Sequence, residues 1–140
     1  MKLTLLLQLA GVLHLGLLGA GATFPRVIGL PAHLAPLPPF IRRLFWVYYA
    51  YVAAMLLTFG TFTLLFARQM AAGEPFALAV CAYLALFWIG RLVIGLFVLD
   101  EKPYLTHWLF RLGFYALNAT FLYLATIYVA TACHGYFPQP

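Results

Sequence analysis

The chain has 140 residues, of which 66% are hydrophobic and 8% charged, and it carries a formal net charge of +5; its mean hydropathy is +0.98. A soluble domain is closer to half apolar and a quarter charged, so this chain cannot coat a water-facing surface, and its apolar residues must face lipid or another protein. The length allows one compact unit, and the basic residues are scattered at the ends of apolar runs, which reads as membrane topology and argues against a nucleic-acid partner.

The first apolar run covers about 3–20. Together with Met1-Lys2 and Ala20-Gly21-Ala22 it also has the layout of a secretory signal peptide with an A-x-A cleavage site. Arg26, Arg42 and Arg43 oppose that alternative, because basic loops stay on the cytoplasmic side. The segment 21–43 contains Pro25, Pro31, Pro36, Pro38 and Pro39. A regular helix is not expected there; the segment should lie in the membrane interface or fold back over the bundle.

The second run, 44–67, opens with Phe45, Trp46, Tyr48, Tyr49 and Tyr51, an interfacial aromatic belt. Gly73-Glu74-Pro75 separates it from the third run, 76–99, and Asp100-Glu101-Lys102-Pro103 precedes the fourth, 108–132. About 20 residues at ~1.5 Å each cross a ~30 Å hydrocarbon core, and backbone polar groups in lipid must be satisfied within the helix. Strand alternation is absent, against a β-barrel. The expected fold is therefore an all-α integral membrane protein, a four-transmembrane-helix up-down bundle in a single membrane domain over 1–140. Arg26, Arg42, Arg43, Lys102 and Arg111 fall at one end, and Lys2 and Arg68 at the other. This asymmetry places loops one and three in the cytoplasm, in a multi-pass protein of a bacterial-type inner membrane.

Arg91 lies about eight residues inside the third run, where a charge at the bilayer centre costs ~2.5–3.5 kcal/mol on insertion scales. It must snorkel, pair or bind something. Counting to the same depth on the other runs reaches His14, Tyr49, Tyr51, Tyr115 and Asn118. With Arg91 these form a candidate ligand-binding polar layer, whose competing reading is interhelical glue. On the fourth helix Arg111, Tyr115, Asn118 and Leu122 share a face, expected to look into the bundle or at a partner, opposite Trp88, Arg91 and Gly95.

Cys81 and Cys133 have no CxxC spacing, and no two histidines stand at i, i+4 on one helix. No metal site follows, although a lone His14 leaves a haem or pigment conceivable; the cofactor is left open. The three carboxylates, Glu74, Asp100 and Glu101, all lie in loops, against a proton-coupled carrier. The favoured function is a non-catalytic accessory or scaffold subunit of a membrane complex or homo-oligomer, with the lipid bilayer and other membrane subunits or self-association as partners. The alternative is a small transporter or a lipid- or amphipathic-ligand-binding protein using the layer around Arg91. A membrane enzyme comes last, because no nucleophile–base pair is visible. A cavity around Arg91 favours the ligand-binding class, and a dry packed layer favours the scaffold.

Overall fold

The computed structural model describes residues 2–98 and 108–136, with side chains to 134. The described residues form α1 (Lys2–Val27), α2 (Leu30–Leu34), α3 (Pro39–Ala72), α4 (Pro75–Phe97) and α5 (Trp108–Tyr136). The four longer helices are each long and apolar enough to cross a membrane. Loop three, with Asp100, Glu101, Lys102 and His107, lies outside the described residues.

The helices run beyond their expected limits into the proline segment. The expectation of irregular chain across 21–43 gives way to helix over most of it, for two physical reasons. Pro31, Pro39 and Pro75 stand in the first turn of α2, α3 and α4, where a missing N–H is harmless and the fixed φ favours the helix. Pro25, by contrast, sits inside α1 and cannot donate to the carbonyl of Gly21, four residues back. The Tyr49 hydroxyl of α3 donates to that carbonyl instead, at 2.6 Å. A side chain from a neighbouring helix thus fills the gap that the proline opens, and α1 continues to Val27.

α3 ends in a Schellman motif: the Gly73 N–H reaches the Met70 carbonyl and the Glu74 N–H the Gln69 carbonyl, both at 3.2 Å. Gly73 takes the left-handed φ of 78° that this motif requires. Pro75 then starts α4 immediately, so α3 and α4 run antiparallel.

α1 packs chiefly against α3, and α4 against α5. The first pair is antiparallel, with Gly11 against Gly60 at one level and Gly21 against Tyr49 at another. The Gly11–Gly60 approach is tight: a Cβ on Gly60 would stand 2.9 Å from His14 Cβ and 3.1 Å from the Gly11 carbonyl oxygen. Small residues let membrane helices approach closely enough for dispersion contacts to hold them. Between the two pairs lies a core built on Leu7, Ala10, Leu17, Leu84, Trp88, Phe121, Leu124 and Tyr128.

Candidate functional site

Two connected groups of polar residues join the helices in the interior, one closed and one open; Gln69, with its buried Oε1 unpartnered, and Thr131, bonded to its own helix, stand apart from both. The closed group centres on His14, whose side chain is wholly buried, at 0% exposure. The indole N–H of Trp88 donates to His14 Nε2 at 3.1 Å. An indole nitrogen is only ever a donor, so Nε2 must offer its lone pair, and the ring proton sits on Nδ1, which donates to the Ala10 carbonyl at 2.8 Å. His14 is therefore a neutral imidazole of defined tautomer with both nitrogens engaged. Phe59, Trp88 and Tyr128 surround it edge-on. Tyr128 and Thr63, both buried, share a hydrogen bond of 2.6 Å between α5 and α3. These contacts tie all four long helices together and give both ring nitrogens of His14 and both hydroxyl oxygens a partner. A haem or pigment at His14 would have to displace Trp88. Among the described residues no three His, Cys, Asp or Glu side chains converge on a metal position. Cys81 is buried and Cys133 exposed, and both are free thiols.

The open group lies beyond Trp88. Trp88 stacks on Phe121 at 5.2 Å, and the Arg91 guanidinium lies over the other part of that aromatic stack, with Cζ 4.9 Å from the Phe121 centroid. Its Nη1 stands 3.0 Å from the place that a Cβ on Gly95 would occupy. The side chain therefore runs along α4 toward its C-terminal end, and Gly95 supplies the room. Among the described residues Arg91 has no carboxylate and no hydrogen-bond acceptor; the cation–π contact is its one polar interaction. It lines a groove of about 290 Å³ between the α1–α3 pair and the α4–α5 pair, with Leu17, Gly21, Leu56, Phe87 and Leu117 among its walls. Trp88 and Phe121 form its inner end.

The six residues expected to share one layer are divided by the structure. His14 and Arg91 are joined through Trp88 and Phe121. Tyr49 holds the α1 backbone at the groove lip through Gly21. Asn118, half-buried, donates to the Phe114 carbonyl of its own helix at 3.0 Å, so it links no helices. Tyr51 and Tyr115 are 66% and 62% exposed and lie outside the bundle. The face of α5 bearing Arg111, Tyr115 and Leu122 also turns outward, and Phe121, Leu124, Ala125 and Tyr128 turn inward. Trp88 as the partner of His14, and the Thr63–Tyr128 pair, were not anticipated; hydroxyl and indole groups inside apolar runs were the available signal, since each must find a partner in lipid.

No family model matches the chain, and no curated protein or solved structure is significantly similar to it.

Proposed function

We propose that this chain is an integral membrane protein that binds an amphipathic anion in the groove between its two helix pairs, with Arg91 as the anchoring cation. The four long apolar helices support insertion in a bilayer, and the low charge content supports it independently. The observation that carries the ligand reading is the guanidinium of Arg91 beside an apolar groove, with no counter-charge among the described residues. A half-buried cation in hydrocarbon needs compensation, and the Phe121 ring supplies only ~0.5–2 kcal/mol of it. A bound carboxylate or phosphate meets the guanidinium with two parallel hydrogen bonds, while an acyl chain meets Leu17, Leu56, Phe87 and Leu117.

The accessory-subunit reading draws on a different observation, the closed His14–Trp88–Tyr128–Thr63 network, which is buried and internally hydrogen-bonded. That network is compatible with both readings, because it stabilises the bundle on one side of Trp88 while the groove opens on the other. The distinguishing experiment is lipid analysis of the gently extracted protein and its Arg91→Met variant. An anionic amphiphile should co-purify with the wild type in a fixed ratio and be lost from the variant. Equal retention in both would leave the scaffold reading standing.

A further inference from the structure

The groove's shape and charge define its ligand more narrowly, and the following rests on the amphipathic-anion reading. We infer that the groove is a blind site for a single-chain carboxylate amphiphile, loaded from the arginine-rich end of the molecule, with the carboxylate on Arg91.

Three observations point this way. The groove is closed toward one end of the bundle. Trp88, only 2% exposed, and Phe121 form its floor, and behind them Leu84, Leu124, Tyr128 and His14 are buried and mutually packed. A solute that reaches Arg91 cannot continue past Trp88 without breaking its bond to His14.

The open direction leads toward the end where α1 and α4 finish and α3 and α5 begin. There the described residues include Arg26, Arg42, Arg43 and Arg111, all exposed, and no carboxylate. The chain between α4 and α5 adds Asp100, Glu101 and Lys102 to the sequence of that end, which keeps its sum positive. A positive rim raises the local concentration of anions.

The third observation is size. At roughly 30 Å³ per small group, the volume of a water molecule in the liquid, 290 Å³ holds about ten heavy atoms. That accommodates a carboxylate and its first several methylenes. It is less than the headgroup and glycerol of a phospholipid. Moreover, an acyl chain gains nothing by leaving lipid for an equally apolar groove, since no hydrophobic driving force acts between the two. Discrimination must therefore reside in the head; the guanidinium fits carboxylate and phosphate alike, and the small volume of the groove favours the carboxylate.

Trp88 at the floor provides the readout. In a Trp46→Phe, Trp108→Phe background the remaining indole is Trp88, and a bromine on the chain of a bound ligand quenches it. The probes are 6-bromohexanoate, whose nine heavy atoms fit the groove, the corresponding 6-bromohexanol, and a brominated phosphatidylglycerol, each added to the protein in uncharged detergent. The acid should quench saturably. The alcohol should require at least roughly tenfold more, the least that a hydrogen bond to a charged group contributes, and Arg91→Met should weaken the acid to the level of the alcohol. If Arg91→Met does not fold, Ala20→Phe, which fills the groove from α1 at a lining position, should abolish saturable quenching by the acid. Tight quenching by phosphatidylglycerol with weak quenching by the acid would overturn the single-chain assignment while leaving the amphipathic-anion reading in place. Equal quenching by acid and alcohol, insensitive to Arg91→Met or to Ala20→Phe, would overturn both.

Discussion

Replacing His14 by leucine tests the closed network at its centre. Leucine fills a similar volume and introduces no charge, so the change removes the imidazole's hydrogen bonds and ring contacts without opening a large cavity, and the double variant isolates the Trp88 bond. In the wild type the Trp88 indole N–H is fully buried and ends on His14 Nε2 at 3.1 Å. His14→Leu removes an interhelical hydrogen bond worth on average ~0.6 and at most ~1.7 kcal/mol in a membrane protein. It also strands the Trp88 donor, whose desolvation without a partner costs roughly 1–3 kcal/mol. Trp88→Phe strands the imidazole acceptor in the same way. The two single variants should each lose about 1.5–4.5 kcal/mol by these two terms. The double variant strands neither group and should lose less than the sum, with a coupling of about 1 kcal/mol or more. Unfolding of the four proteins in mixed micelles, followed by circular dichroism, supplies the cycle. Additive losses would refute the hydrogen bond between α1 and α4 and the tautomer deduced from it.

Three other perturbations follow from the packing. Tyr49→Phe should lower stability by roughly 1 kcal/mol by leaving the Gly21 carbonyl without a donor, and the loss should shrink in a Pro25→Ala background, where a backbone N–H returns; thermal melts of the four combinations measure it. Gly60→Ala should destabilise by about 1–3 kcal/mol, because its new Cβ would press on His14 Cβ and the Gly11 carbonyl, whereas Gly16→Ala, with nothing within 4 Å, should be neutral or stabilise by up to ~1 kcal/mol; the same melts compare them. With Cys81 and Cys133 replaced, an impermeant maleimide applied to intact cells should label Ala72→Cys and spare Lys102→Cys, and the reverse pattern would overturn the orientation with loops one and three in the cytoplasm.

The four long helices were legible in the sequence because hydrophobic length is a one-dimensional property, and no tertiary contact is needed to recognise it. Their ends were less so. Five prolines between 21 and 43 argue for irregular chain only until each is assigned a position. Pro31 and Pro39 turn out to open helices, and Pro25 is tolerated because Tyr49, separated from Gly21 by 28 residues, supplies the missing donor. No local rule contains that partner.

The polar layer was half legible for a related reason. Depth along a helix can be counted, but a count says nothing of azimuth. Tyr49 and Tyr51 are two positions apart and therefore about 200° apart around a helix, so only one of them can face inward; it is Tyr49. Tyr115 shares a depth with Arg91 and faces away. Arg91 itself stood out because a charge among apolar residues is expensive wherever it points, whereas the room that Gly95, one turn on, makes for its guanidinium is visible only in three dimensions.

The account turns on whether the space beside Arg91 is occupied in lipid. A density map of the protein reconstituted in nanodiscs with a mixed lipid extract that contains free fatty acids tests this most directly. The account predicts elongated density in the groove between Leu17 and Leu117, with its head within hydrogen-bonding distance of the Arg91 guanidinium and its inner end against Trp88. The contradictory result is a groove closed by approach of the two helix pairs, with Arg91 paired to a carboxylate of this chain.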